Sequence, residues 1–250
     1  MYQKERLDSL LEILNARGYV TVKQMMDLLH YSSATINRDL NLLEKRGLIK
    51  RTYGGAEVVE QKSVPLVYRY NKMRVEKRRL ARIACEMINP GDTVFIDSTT
   101  TTQIMGEYIA TIKDVTVITN NMALVSYLSQ YGVRVICLGG PVFEEPHMLL
   151  GDITVSNLLH FHADKLFFST GGVTADGKIW DSDYMLMHEV MSKNADKVYY
   201  LVDHDKLEHS EQHILFDFDR VDCVISDFDF PDSTKKRFSK TQFIVADKSK

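Results

Sequence analysis

The sequence is short of the features that mark secreted, membrane-spanning or metal-dependent proteins. Its three cysteines, Cys85, Cys137 and Cys223, are odd in number and far apart. That excludes a disulfide framework and fits reduced core thiols of a cytoplasmic protein. The eight histidines are dispersed, and His160 and His162 sit at a spacing whose side chains diverge on a helix, so no metal site is expected. No apolar run approaches the roughly 20 residues of a membrane span. The opening stretch MYQKERLDSLLEILNARG reads as a charged amphipathic helix rather than a signal peptide. Glycine and proline are sparse, and no repeat or low-complexity segment is visible. What is present describes ordinary folded protein, long enough at 250 residues for a small domain beside a medium one.

The net charge of −3 argues against a polyanionic partner only if it is evenly spread. It is not: residues 1–56 hold nine Lys and Arg against six Asp and Glu, and the remainder twenty-two against twenty-eight. A basic head on an acidic body turns one end of the molecule towards nucleic acid. The excess is modest, so affinity is expected to depend on a homo-oligomer, dimer or tetramer.

Residues 20–39, VTVKQMMDLLHYSSATINRD, read as two short helices joined by a tight corner. Val22, Met26 and Leu29 fall at helical spacing in the first, and Ile36, Leu40 and Leu43 in the second. Thr21 can cap the first, and Ser32 or Ser33 the second. A preceding helix from Tyr2 to Ala16 carries the stripe Leu7, Leu11 and Leu14 and stops at Gly18. With Ile36, Leu40 and Leu43 inward, Arg38, Asn41 and Lys45 face outward, with Ser33, Thr35 and Asn37 on the first turn and its flanks. Those are the groups of a helix made to enter a major groove, where an Asn amide pairs with adenine N6 and N7 and Arg prefers guanine O6 and N7. After Gly47 comes LIKRTYGGA, a β-prone run with Lys50, Arg51, Tyr53 and a Gly-Gly turn, which reads as a wing whose bases lie where phosphates pass.

The stretch TINRDLNLLEKRGLIKRTYGGA resembles the motif TIRRDLxxLxxxGxLxRxxGGA of the DeoR family of bacterial transcription regulators. Asn37 stands where that family usually has the first of two arginines. The resemblance implies a winged helix-turn-helix followed by a sensor of phosphorylated sugars, and repression that ligand relieves. It implies a DNA-binding domain over 1–57 with its helix-turn-helix at 20–39, a linker over 58–74 containing the Val64-Pro65 break, and an effector-sensing domain over 75–250.

The second half supports an α/β fold on its own pattern. Short β-branched strands at Thr93–Asp97, Val115–Thr119, Val133–Leu138, Lys165–Ser169, Val198–Val202, Val221–Ser226 and Phe243–Ala246 alternate with helices, which means a mostly parallel sheet covered on both faces. A helix over Lys72–Ile88 precedes them, with Leu80, Ile83, Ala84 and Met87 inward and Arg74, Lys77, Arg78, Arg79 and Arg82 as a solvated basic face. Further helices are expected over Thr102–Ile109, Met122–Leu128 and Tyr184–Asn194.

Functional groups of such sheets gather at the C-terminal strand ends. These are Asp97, Ser98, Thr99, Thr100, Thr101 and Thr102; Thr119 and Asn120; Gly139 and Gly140; Gly171 and Gly172; and Asp203 and Lys206. Five hydroxyls running into a helix N-terminus suit an anion, with Lys206 as countercharge. The resemblance supports the same positions, since the family sensor usually reads DSGTT, TN, GG, GG and DxxK and is similar in fold to ribose-5-phosphate isomerase. Thr99 departs from the usual Gly, and a β-branched residue there restricts the backbone. Asp181, Asp183, His188 and Glu189 form another polar cluster, either reading sugar hydroxyls or an amino group, or marking the exposed start of a helix where His188 and Glu189 pair locally.

The expected function is a DNA-binding regulator, with double-stranded operator DNA and a phosphorylated sugar as partners, no cofactor and no membrane. The alternative is a sugar-phosphate isomerase or deaminase with an accessory DNA-binding head, which needs a carboxylate base. Asp181, Asp183 and Glu189 are candidates, but their order and spacing do not match the catalytic motifs of those enzymes.

Overall fold

The computed structural model describes residues 3–45, 48–58, 70–143, 147–181 and 185–246. The chain divides into two compact units, Met1–Pro65 and Leu66–Lys250. The division falls within the expected linker, and Val64 and Pro65 lie outside the described residues.

In the first unit, α1 (Gln3–Arg17) buries Leu7, Leu10, Leu11 and Leu14 and ends as Gly18, with φ +72°, donates its N–H to the Leu14 carbonyl. A short strand β1 (Tyr19–Thr21) leads into α2 (Val22–Leu29). Thr21 closes a capping box with Gln24: its hydroxyl accepts from the Gln24 N–H, and the Gln24 amide oxygen accepts from the Thr21 N–H. The fully buried residue of α2 is Met25; Met26, placed inward on spacing, is half-buried. His30 turns the corner in the left-handed region, and Ser32 caps α3 (Ser33–Lys45) by accepting from the Thr35 N–H. Ile36, Leu40 and Leu43 are fully buried, as the spacing requires. The wing is β2 (Ile49–Thr52) and β3 (Gly55–Val58), antiparallel, with β1 on the other edge of β3. Gly54 takes the positive φ of the turn, which leaves Tyr53 fully exposed at the tip.

The second unit opens with α4 (Arg74–Glu86), which buries Leu80, Ala81, Ala84 and Cys85 against the sheet. Seven strands follow: β4 (Thr93–Ile96), β5 (Thr116–Thr119), β6 (Arg134–Cys137), β7 (Ala163–Phe168), then, after two strands of a second sheet, β10 (Ala195–Val202), β12 (Cys223–Ser226) and β13 (Gln242–Val245). Every pairing is parallel, in the order β13-β12-β10-β7-β4-β5-β6. From β4 the chain winds outward through β5 and β6, then returns to place β7 on the other side of β4. The crevice at the β4 and β7 ends is therefore a topological switch point, where open sheets of this kind hold ligands.

Three features differ from the sequence expectation. The single helix over Thr102–Ile109 is two short ones, α5 (Thr100–Gln103) and α6 (Gly106–Ile109). Helices α8 (Asp152–Leu158) and α10 (Asp232–Arg237) join the expected α7 (Met122–Ser129) and α9 (Met185–Lys193). A separate antiparallel sheet is built from β8 (Gly172–Val173), β9 (Lys178–Asp181) and β11 (His213–Asp217).

Candidate functional sites

The exposed side of α3 carries Ser33, Arg38, Asn41 and Lys45, with Thr35 and Asn37 half-buried at its edge. Asp39, between them in sequence, points inward and is fully buried. Arg6 of α1 donates to both its carboxylate oxygens, at 2.5 and 3.1 Å, and lies over the Tyr31 ring. This pair fixes the roll of α3 and so decides which residues face out. The wing is pinned to the same helix. Glu44 accepts the Arg51 N–H at 2.8 Å, and the Arg51 guanidinium lies against Asn37 and Asn41. Lys50 is exposed and faces Glu57 across the hairpin at 3.8 Å.

In the second unit the switch-point crevice is organised by Asp97, at the end of β4 and almost fully buried. One carboxylate oxygen accepts from the Thr99 N–H at 3.2 Å, the Thr99 hydroxyl at 3.0 Å and the Thr102 hydroxyl. The other accepts from the Ser169 N–H of the β7 end at 3.1 Å and faces His188 Nε2 at 3.0 Å. His188 Nδ1 lies 2.5 Å from Asp181. Burial alone would lower the His188 pKa, but Asp181 and then Asp97 outweigh it and raise the imidazole to about 10.

This geometry corrects the reading of the second polar cluster. Asp181 is not at the exposed start of a helix; it ends β9 and is buried. His188 does not pair with Glu189, whose partner is Lys193; it bridges Asp181 and Asp97, the latter 91 residues away from it in sequence. Asp183 lies outside the described residues.

The basic face assigned to α4 needs a second correction. Lys77 is buried, and its ammonium donates to the Thr100 hydroxyl at 3.1 Å. Sequence reasoning missed it because one lysine among five basic residues carries no mark of its own; its place in register with Leu80, Ala81 and Ala84 was the available signal. Lys206, on the 3-10 turn His204–Lys206, donates to the Thr170 carbonyl at 2.5 Å and the Ser169 hydroxyl at 3.3 Å. Two ammonium groups thus reach the ends of β4 and β7.

The remaining predicted residues divide. Asn120 belongs with the hydroxyl run, since its amide nitrogen donates to the Ser98 hydroxyl at 3.1 Å and to the Leu149 carbonyl. Thr119 caps the next turn by accepting from the Asn121 N–H. One member of each glycine pair allows close packing: a Cβ at Gly140 would overlap the Thr154 hydroxyl, and one at Gly172 the His209 carbonyl. Thr99 takes φ −72°, which a β-branched residue adopts without strain, and its hydroxyl accepts the Thr102 N–H as helix cap. Among the residues predicted to bind the effector, three buried side chains have atoms without a hydrogen-bond partner among the described residues: Thr101 Oγ1, Asn120 Oδ1 and both carboxylate oxygens of Asp203. Buried acceptors left unmatched cost free energy that a ligand's donors recover.

Among the described residues no group of His, Cys, Asp and Glu is placed to hold a metal, and no helix is long and apolar enough to cross a membrane.

Residues 6–62 match the DeoR-like helix-turn-helix domain, and residues 72–228 the DeoR C terminal sensor domain. The chain is 32% identical over 231 residues to the HTH-type transcriptional repressor GlcR of Bacillus subtilis (strain 168), covering 91% of this chain and 89% of that one. It is 29% identical over 234 residues to the glycerol-3-phosphate regulon repressor of Escherichia coli (strain K12), covering 91% and 92%. With the lactose phosphotransferase system repressor of Streptococcus mutans it shares 28% over 251 residues, 98% and 100% of the two chains. Similar solved structures include ribose 5-phosphate isomerase from Plasmodium falciparum, at a TM-score of 0.39, 14% identity and 52% of each chain. Another is the translation initiation factor eIF-2B of Pyrococcus horikoshii OT3, at 0.41 and 14%, covering 84% of this chain and 68% of that one.

Proposed function

The chain belongs to the DeoR family of transcriptional regulators, and on that premise we propose that it represses a carbohydrate-metabolism operon in the cytoplasm until a phosphorylated sugar lowers its hold on operator DNA. The DNA-binding residues are Ser33, Thr35, Arg38 and Lys45 on α3, with Lys50, Arg51 and Tyr53 on the wing. The supporting observation is the fixed roll of α3: the Arg6–Asp39 pair and the buried Ile36, Leu40 and Leu43 leave Arg38 and Lys45 exposed together. Two heads of a homo-oligomer, each with only a modest positive excess, supply the affinity that one head lacks.

The effector is assigned to the switch-point crevice, between Lys77 and Lys206. What carries this is the union there of two ammonium groups with unmatched buried acceptors on Asn120 and Asp203. The cations suit a phosphate, and the acceptors suit sugar hydroxyls. The Thr99 and Thr102 hydroxyls are committed to Asp97, so Ser98, Thr100 and Thr101 are the members of the run assigned to ligand.

A non-enzymatic sensor is favoured over an isomerase or deaminase by the state of the candidate bases. Asp181 is held by His188, and Glu189 pairs on the surface with Lys193. Neither is poised to take a proton from carbon.

The test has two arms. Full-length protein is used to select duplexes from a random-sequence pool, and the recovered duplex is titrated with wild type and Arg38→Ala. A loss of about 1–3 kcal/mol is expected; equal affinity would remove α3 from the interface. A panel of sugar phosphates is then screened by calorimetry and by a turnover assay, where conversion of any compound would restore the enzyme reading.

A further inference from the structure

Asn37 and Asn41 lie one turn apart on α3, and one guanidinium uses both their amide oxygens. Arg51 Nη2 donates to Asn37 Oδ1 at 2.6 Å, and Nη1 donates to Asn41 Oδ1 at 2.6 Å, with a longer contact of 3.5 Å to the Asn37 carbonyl. The Asn37 amide nitrogen donates one turn back, to the Ser33 carbonyl at 2.8 Å and its hydroxyl at 3.1 Å. Both ends of the Asn37 amide are therefore engaged within the protein. Reading adenine needs that amide to give and accept at the same time.

The wing strand is held from its backbone as well, because Glu44 accepts the Arg51 N–H at 2.8 Å. Arg51 thus cannot swing away with a loose hairpin: its main chain is tied to the last turn of α3 and its side chain to the middle. An arginine at position 37 would offer the Arg51 guanidinium no side-chain acceptor. Asparagine instead offers an acceptor there.

The geometry points to a division of labour in which Asn37 and Asn41 are positioning residues and Arg51, although it belongs to the wing, is the cation that the α3 face carries to DNA. This rests on the reading of the first unit as the DNA-binding head. The group that Arg51 meets is an acceptor of the duplex, either the O6 and N7 edge of a guanine or a phosphate oxygen.

The experiment is a double-substitution cycle on the full chain. The duplex selected by wild type is titrated at fixed salt with wild type, Asn37→Ala, Arg51→Ala and the double variant. Arg51→Ala is expected to weaken binding about ten-fold or more, and Asn37→Ala by less. With Arg51 already alanine, adding Asn37→Ala should change affinity by less than about two-fold. Losses that multiply in the double variant would return Asn37 to direct base reading and overturn the positioning role. Wild-type affinity of Arg51→Ala would overturn the assignment of the cation. Repeating the selection with Arg51→Ala separates the two acceptors, each consistent with the proposal. A consensus relaxed at one base identifies guanine, whereas an unchanged consensus with a salt dependence shallower by about one identifies phosphate. If wild type selects no duplex at all, the reading of the head and this inference fall together.

Discussion

A buried imidazole with a carboxylate oxygen within reach of each nitrogen donates to both only when it carries both protons. His188 is in that position between Asp181 and Asp97. The charge it holds lets two carboxylates sit beneath a crevice assigned to an anion without presenting a bare negative group to it. The consequence for pH has a definite sign. The folded-state pKa of about 10 lies above the ordinary imidazole value of 6.5, so the proton is lost on unfolding anywhere between the two. The stabilisation is complete below about pH 6.5 and disappears as pH rises through about 10. The single tryptophan, Trp180, sits next to Asp181 and reports on this unit alone. Its fluorescence in urea titrations should show a midpoint that falls from pH 7 to pH 10. In His188→Gln that fall should be shallower, on a protein already less stable at pH 7. Parallel pH profiles for the two proteins would show that His188 is not the titrating group. The sequence put Asp181 and His188 in one polar cluster, but their link to Asp97 was not visible in it, since Asp97 lies 91 residues from His188 and only the fold brings them together.

At the scale of elements, patterns that repeat within one helix or strand were legible, and those that depend on a partner were not. Ile36, Leu40 and Leu43 announce the inward face of α3, and the β-branched runs announce the parallel strands, because β4, β5, β7 and β12 are largely buried on both sides and have little polar alternation to confuse them. The antiparallel sheet escaped notice for the opposite reason. Gly172–Val173 is two residues long, and β11 is bulged between Ile214 and Phe216, so neither keeps a period long enough to read. Asp39 was overlooked in the same way, since a carboxylate in the motif of α3 reads as polar until Arg6 is seen beside it. That pair yields a prediction about the whole helical head. Arg6→Ala leaves a fully buried carboxylate without its charged partner, which typically costs about 3–5 kcal/mol. Helical signal and duplex binding should be lost at temperatures where Trp180 fluorescence still reports a folded second unit. Adding Asp39→Asn removes the stranded charge and should restore part of the loss. If Arg6→Ala binds duplex as wild type does, the pair is a surface contact and something else sets the roll of α3.

At the scale of the whole molecule, the two units must exchange free energy if a metabolite is to control a gene. A ligand can alter operator affinity only by favouring one arrangement of the heads over another, with couplings of ~1–3 kcal/mol in typical cases. The chain supplies a physical handle. Lys77 sits on α4, the helix that opens the second unit after the joint, and its ammonium ends at Thr100 in the crevice. Lys206 approaches the neighbouring strand end from a different element. A phosphate held between them would pull on α4 and on the β10 end at once, whereas an anion bound by either alone would not link the two. Lys206→Ala is therefore expected to abolish the ligand's effect on operator affinity while leaving affinity in its absence within about two-fold of wild type. Lys77→Met should behave alike in the response and also lower stability, since Lys77 is buried and Lys206 only partly so. The measurement is an operator titration with and without the sugar phosphate that calorimetry identifies, on all three proteins. If Lys206→Ala binds the ligand and responds as wild type does, the crevice is a structural network around Asp97 and the effector binds elsewhere. If it binds the ligand but no longer responds, Lys206 transmits the signal rather than holding the phosphate. Loss of both together is the outcome that the placement of the two ammonium groups requires.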